Sequence, residues 1–468
     1  MTPRPNPTFL EGVKSACTGD PRAAFVLLGN FEVETAWAAD EIGLPSVGGA
    51  SAANAVVNRM DEFALLLAGK ADHVVLKSAP DPAHLAYLEG LGLELPGILV
   101  ADEQDPARTV SEDALRSPRL RAELSALAGQ GAHLLPHGMS VLEEELCAQT
   151  GLSPALPPAA LTKAVNSKIY SRRVAAELGL PLAPGWECET VEQFAAAAAQ
   201  AAGPLAAGRR IGVKDAFGVS GKGIVVVDDA RRLDQLVRMV TRRAERSGDP
   251  RLAVVVEEWA DKDADLNYHF TVARDGSVRF DFVKEAITDK GVHKGHRMPA
   301  RISAAHAAEI ERCSALLGAR LAADGFHGLV GVDAITTRDG GLLPVIEINA
   351  RSNMSTYQVA LQERFLTGET IAMARQYDLT ANRRIPFERM HARLGDALFD
   401  AETGRGLLVN NYATVNAAAT DDAAAPAPDA RAHQGRLYGL LIARSEQELA
   451  ELDHAVIEGV RKETGTRD

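Results

Sequence analysis

The alternation of apolar and polar positions divides the chain into three stretches. In the first, short apolar runs are separated by helix-length amphipathic segments. AFVLLGN (Ala24 to Asn30) is followed by a helical ETAWAADEIGL, then HVVLKSA, a helical HLAYLEGLGLEL and PGILVAD. Continuous apolar runs of this length suit strands buried on both faces, and their rhythm with helices predicts βαβ units and a mostly parallel open sheet. Ligands of such sheets bind beyond the carboxyl ends of the strands, where Asn30, Ser78 and His137 fall; helix capping or turn formation is the competing role for each. Pro154, Pro157 and Pro158 mark a linker, so the first domain is placed at residues 1–157.

The second stretch, 158–380, changes period. It opens with one predicted helix, LTKAVNSKIYSRRVAAELG, stopped by Gly179 and Pro181, and continues with an Ala-rich helix, VEQFAAAAAQAAG. Strands RIGVKDAF and GKGIVVVDD, a basic helix to about Arg246, and strand LAVVVEEW follow. NYHFTVARDG and VRFDFVKEAI come next, then a polar loop, a long helix (AAHAAEIERCSALLGARLAADG) and a final hairpin. Strands here mostly join strands, which predicts antiparallel sheets flanked by helices. The third stretch, 381–468, reads as a small α+β extension whose Ala/Pro/Asp-rich segment, 417–434, has little to bury and is expected to be flexible.

Composition narrows the class. The chain has 468 residues, 46% of them hydrophobic, enough for two to four domains with ordinary cores. Its apolar runs are short and its first twenty residues lack an apolar core behind a basic end, so neither a membrane span nor a secretory signal is expected. The four cysteines (Cys17, Cys147, Cys188, Cys313) form no CxxC pair, which fits free thiols in a reducing cytoplasm. A formal net charge of −13 argues against nucleic acid as the main partner.

The chemistry begins in the final hairpin, GLVGVDAITTRDGGLLPVIEINARSN (Gly328 to Asn353). With the turn near Gly340, Asp333 and Glu347 lie opposite one another, and Asn349 and Arg351 share the face of Glu347. Opposed β-carbons sit about 5 Å apart, where like charges repel. An ordinary solvated hairpin is one reading. A cation between the carboxylates is the other, and an all-oxygen set suits Mg²⁺ shared with substrate phosphates.

Four upstream features favour the second reading. Phe217 to Gly223 is a glycine-rich turn between two strands, where Ser220, Gly221 and Gly223 could close over phosphates, or which could be a plain turn. Lys214, on the strand before it, and Lys168, on the earlier helix, could neutralise those phosphates. AVVVEEWADKDAD resembles an adenine hinge: the backbone near Trp259 reads the base edge, Glu257 or Glu258 accepts from its amino group, and Asp265 accepts from the ribose. Alternation leaves open which of Glu257 and Glu258 does so.

This order of helix lysine, strand lysine, glycine lid, acidic hinge and Glu-x-Asn-x-Arg hairpin resembles the ATP-grasp superfamily across the whole middle stretch. The resemblance implies an ATP-grasp fold preceded by an open α/β pre-ATP-grasp domain. It also implies ATP held by Lys168, Lys214 and the 217–223 loop, and two Mg²⁺ ions (Mn²⁺ being an alternative) on Asp333, Glu347 and Asn349, with Arg351 assisting at an acyl-phosphate. LLPHGMSVLEEEL, NSKIYSRRVAAELGLP and GRLYGLLIARSEQEL look like segments of the pheganomycin-type peptide ligases of actinobacteria. That narrower resemblance implies an ADP-forming ligase of secondary metabolism, acting on small-molecule or peptide substrates, away from membranes, with a homodimer as one expected assembly. In the loop VKEAITDKGVHKGHRMPARI, which also carries Lys284, Lys294 and His296, Arg297 is the candidate for holding the substrate carboxylate. An L-amino acid ligase making dipeptides, a carboxylase or phosphoribosyl-amine ligase, and an ATP-binding regulatory module without turnover are the competing readings.

Overall fold

The computed structural model describes residues 7–39, 41–44, 55–218, 223–289, 292–419 and 432–464. The apolar runs of the first stretch become strands β1 (Phe25–Leu28), β2 (His73–Leu76), β3 (Gly97–Val100), β4 (His133–Pro136) and the short β5 (Ser153–Pro154). They pair in parallel in the order β3-β2-β1-β4-β5. Val26, Leu28, Val75 and Leu134 are buried against the helices of one face, and Phe25, Leu27, Val74 and Leu135 face the rest of the molecule. Connections run to opposite sides of β1, so the loops after β1 and β4 flank the point where a ligand crevice forms.

The second stretch builds two antiparallel sheets. β6 (Gly185–Thr190), β7 (Ile211–Asp215), β8 (Ile224–Val227) and β9 (Arg251–Glu258) form a four-stranded sheet in the order β6-β9-β7-β8. Helices Val191–Ala206 and Ala230–Ser247 pack on one of its faces through Phe194, Ala198, Leu233 and Val240. The larger sheet contains β10 (Lys262–Val272), β11 (Val278–Asp289), β12 (Val292–Met298), β13 (Gly328–Thr337), β14 (Leu342–Asn349), β15 (Ile371–Ala381), β16 (Gly406–Asn411) and β17 (His433–Ala443). Its order is β14-β13-β10-β11-β12-β15-β17-β16.

Strand periodicity gives the large sheet two unlike faces. Leu266, Tyr268, Val330, Val332 and Ile348 pack with Ile310, Cys313 and Leu317 of helix Ala304–Ala323. The intervening positions of the same strands face the amino-terminal domain, where Leu329, Tyr357 and Tyr438 share a core with Phe25, Phe63 and Leu135.

Three expectations are corrected. The segment read as a polar loop after β11 is instead strand β12, paired with both β11 and β15. The last stretch does not stand apart, because β16 and β17 extend the large sheet. The helix expected from Leu161 to Gly179 is two helices, Ala159–Val165 and Lys168–Glu177. Asn166 ends the first by donating to the Thr162 and Ala350 carbonyls, and the Ser167 hydroxyl caps the second by accepting from Ile169 N–H. All four cysteines are buried and free, as the spacing implied. Of the segment expected to be flexible, 420–431 lies outside the described residues. Among the described residues no helix is long and apolar enough to cross a membrane.

Candidate functional site

The hairpin register is the expected one: Asp333 pairs directly with Glu347, and Gly331 with Asn349. On the other side Asp333 pairs with Asn267 of β10, which pairs with Lys284 of β11. One polar row therefore crosses four strands on the face turned to the amino-terminal domain. Asn267 Nδ2 donates to Asp333 Oδ1 at 2.8 Å and Asn349 Nδ2 to Asp333 Oδ2 at 3.3 Å. Burial, and after it the neighbouring Glu347, push the Asp333 carboxyl up to about 6. Two carboxylates facing one another in a desolvated place are the arrangement a divalent cation relieves.

The break between the two short helices puts Lys168 where it spans both sheets. Its ammonium donates to Glu347 Oε1 at 2.6 Å and to the Gly218 carbonyl, beside the glycine loop, at 3.2 Å. Burial alone would lower Lys168, but Glu347 and then Glu34 outweigh it and hold the lysine above its ordinary value. Arg351, just past β14, donates to Asn349 Oδ1 at 3.0 Å, to the Ser352 carbonyl at 2.9 Å and to Glu34. Glu34 lies on helix Val33–Trp37, after β1. It is buried, and its second oxygen has no hydrogen-bond partner. The crevice of the parallel sheet and the acidic row of the large sheet thus meet at this pair.

On the four-stranded sheet Lys214 and Glu257 face the same side: Gly212 pairs directly with Glu257, and Lys214 lies two residues farther along its strand. Lys214 donates to Glu257, whose other oxygen accepts from Arg172 Nη1 at 2.7 Å. Burial alone would raise Glu257, yet Lys214 and Arg172 outweigh it and hold it below the usual carboxylate range. The Lys214 ammonium lies 5.4 Å from the Trp259 ring centre, a cation–π distance. A side chain at Gly212 would run into that ring, at 2.7 Å, so glycine is what lets the indole cover the strand. Gly223 has φ +76° and its carbonyl accepts from Asp215 N–H, closing the base of the glycine loop. Ser220 and Gly221 lie outside the described residues.

Several placements bear on the expected roles. Glu258 points to the opposite face and pairs with Arg209 at 2.8 Å, so only Glu257 shares the Lys214 side. Glu257 has both oxygens engaged by cations, and the Trp259 N–H is taken by the Arg210 carbonyl. Asp265 sits on the same face as Asn267 and accepts from Lys262 at 2.5 Å and Thr288 at 2.6 Å. Arg297 is not in the cluster: it pairs in register with Glu285, one position off the polar row, and donates to Glu446 and the Pro299 carbonyl. Strand alternation turns it to the helix-covered side. Of the crevice residues, Asn30 exchanges hydrogen bonds with Gly138, and His137 stacks on Phe31 and bonds Tyr357 at 2.8 Å, so both hold loops together.

Sequence reasoning missed Glu34, Arg172 and Asn267, which complete the ion pairs and the row. Only the period-two spacing of Asn267 from Asp265 carried a signal. Among the described residues no group of three or more His, Cys, Asp and Glu side chains could hold a metal ion. Two carboxylates and an amide are nonetheless the donor set Mg²⁺ uses when phosphates supply the remaining ligands.

Three layers of this kind, with a lysine spanning the cleft between two antiparallel sheets, define the ATP-grasp fold with a pre-ATP-grasp domain in front of it, and this chain has that fold. Residues 60–152 match the family model of the Pre ATP-grasp domain. Among curated proteins, the chain is similar to the [Butirosin acyl-carrier protein]--L-glutamate ligase of Niallia circulans, 25% identical over 334 residues, 71% of each chain. N5-carboxyaminoimidazole synthetase from Staphylococcus aureus superposes with TM-score 0.51 at 11% identity, over 93% of this chain and 98% of that one. Biotin carboxylase from Campylobacter jejuni superposes with TM-score 0.50 at 14% identity, over 92% and 90%.

Proposed function

We propose that the chain is an ADP-forming carboxylate–amine ligase that joins an amino-acid-like carboxylate to a peptide amine through an acyl-phosphate, in cytoplasmic secondary metabolism. One observation carries the reading. Asp333, Glu347, Asn349, Lys168 and Arg351 meet over one sheet face, beside the Gly218 carbonyl and at the crevice of the parallel-sheet domain. The butirosin relative, by its name, ligates L-glutamate to an acyl-carrier protein, which supports an amino-acid carboxylate as the donor.

In the proposed reaction the substrate carboxylate attacks the γ-phosphorus of ATP, giving acyl-phosphate and ADP. The amine then attacks the acyl carbon, forming the C–N bond, expelling phosphate and losing a proton. Mg²⁺, held by Asp333, Glu347 and Asn349, would supply charge neutralisation at the phosphates. Each cation assigned to the site is now held by a carboxylate: Lys168 by Glu347, Lys214 by Glu257, Arg351 by Glu34. Lys168 and Lys214 are positioned to exchange these partners for phosphate oxygens. Arg351 is positioned to exchange Glu34 for the oxygen that becomes anionic at the acyl carbon. Such fixed charges in a desolvated cleft supply most of the catalysis in phosphoryl and acyl transfer.

The test is a coupled ADP-release screen of carboxylic acids against free amino acids and short peptides, with mass spectrometry of the products. ADP release that depends on a peptide amine, with an amide product, is expected. Dependence on free amino acids alone would favour dipeptide synthesis. Nucleotide binding without turnover for any pair would favour a regulatory module.

A further inference from the structure

Four consecutive residues of the amino-terminal domain, 41–44, lie against the four-stranded sheet, and each is anchored. Glu41 faces the Lys163 ammonium at 3.7 Å, which also lies 5.4 Å from the ring centre of Phe217, at the start of the glycine turn. Ile42 bridges Leu252 in parallel, beyond the point where β7 ends opposite Val254. The Gly43 carbonyl accepts from Arg243 Nη1 at 3.2 Å, and Leu44 N–H donates to Asp215 Oδ1 at 2.8 Å. Ile42 and Leu44 are buried in the core that Ile211, Val213 and Leu252 form with the helices of that sheet. At its other end the same stretch of chain is pinned in the crevice, by Glu34 to Arg351 and by Trp37 Nε1–H to the Met139 carbonyl at 3.0 Å.

Asp215 is the joint. It follows Lys214 at the end of β7, its own N–H donates to the Gly223 carbonyl at 2.8 Å, and a β-carbon on Gly223 would come within 2.5 Å of its Oδ2. Its carboxylate therefore sits between the Leu44 N–H and the residue that closes the glycine turn. Burial raises the Asp215 carboxyl to about 6, against the opposing pull of the Leu44 N–H, Lys168 and Arg243. Lys168, which spans Glu347 and the Gly218 carbonyl, is a tie that an entering triphosphate would claim for itself. The bonds of 41–44 involve none of the groups assigned to the nucleotide, so they persist when it binds.

Resting on the nucleotide site of the reading above, we infer that residues 41–44 are a strap by which the amino-terminal domain positions β7, and that Asp215 is the positioning residue that fastens it. The strap fixes Lys214 relative to Lys168 and the acidic row. A loosened strap lowers the fraction of molecules able to grip a nucleotide, and the apparent Kd rises by the inverse of that fraction. Charge gives the inference a sign. A carboxylate within electrostatic reach of Lys168 repels phosphates, so removing the Asp215 charge alone tightens binding, whereas removing its acceptor oxygen loosens it.

The experiment is calorimetric titration of MgADP into the full chain, for wild type, Asp215→Ala, Asp215→Asn and Arg243→Met, with melting temperatures measured alongside. Asp215→Ala should raise Kd about 10-fold, the scale of one hydrogen bond to a charged group. Asp215→Asn keeps an oxygen for the Leu44 N–H and sheds the charge, so it should bind at least as tightly as wild type. Arg243→Met tests the same strap from an exposed side chain, should Asp215→Ala not fold, and is expected to raise Kd about 3-fold. In turnover the Asp215→Ala change should appear in KM for ATP, with kcat at saturating ATP within about 2-fold of wild type. A lowered melting temperature with Kd unchanged would make these contacts structural only and overturn the inference. So would Asp215→Ala binding as tightly as Asp215→Asn. Wild type that binds no MgADP would overturn this inference and the nucleotide site together. The expected pattern of affinities, without turnover on any acid and amine, would sustain the strap and strike the ligase reading alone.

Discussion

Glu347 serves two partners, one on each side of its charge. It accepts from Lys168 at 2.6 Å and faces Asp333, whose carboxyl is displaced upward, so it is held in place by attraction and made uncomfortable by repulsion. Glu347→Gln keeps the shape and removes one of two like charges. Turnover should fall at least about 100-fold, the scale of losing a preorganised electrostatic contact, while the melting temperature moves by only a few degrees. Comparable losses in rate and stability would make the residue structural. The Arg351–Glu34 pair behaves differently, because both members are buried. Arg351→Met should destabilise by about 3–5 kcal/mol in denaturant unfolding by leaving a buried carboxylate alone, and adding Glu34→Gln should recover most of that loss. Strictly additive costs would mean the pair is not coupled. Asp333, Glu347 and Asn349 were legible because strand period alone places them, and Arg351 follows two residues beyond the strand's end. Glu34 was not, because a pair 317 positions apart leaves no local trace.

Elements position these residues, and their ends matter most. Lys168 reaches the cleft because Ser167 caps a fresh helix there. Ser167→Ala should cost about 1 kcal/mol of stability and lower turnover more than that loss explains; an unchanged rate would show that the cap does not place the lysine. The 3₁₀ segment Met60–Leu66 carries Asp61, which accepts from Lys77 N–H and which burial pushes up to about 7. The native chain therefore keeps the Asp61 proton to about pH 7, whereas an unfolded aspartate releases it near 4. Between those values the native state binds more protons, so this group's contribution to stability is full below pH 4 and is lost as pH rises to 7. Asp61→Asn should flatten that fall and leave the variant more stable than wild type at pH 8. Parallel stability curves would contradict it. At this scale the apolar runs and the hairpin were readable. β12 was not, since VHKGHRM has a loop's composition and becomes a strand only because β11 and β15 pair with it on either side.

At the scale of the molecule, three sheets converge on one cleft. The parallel sheet brings Glu34, the four-stranded sheet brings Lys214 and Glu257, and the large sheet brings the acidic row. The rhythm of the first stretch and the strand-to-strand succession of the second foretold this division. That β16 and β17 finish the large sheet, β17 pairing with β15, is a long-range fact that no local pattern encodes. The account stands or falls on what binds between these layers. Crystals grown with Mn²⁺ and a non-hydrolysable ATP analogue, measured at the manganese edge, test it directly. The account predicts anomalous density within about 2.2 Å of Asp333 and Glu347 carboxylate oxygens, with the triphosphate running toward Lys168 and Lys214. Metal and nucleotide density elsewhere, with this cleft empty, would contradict it.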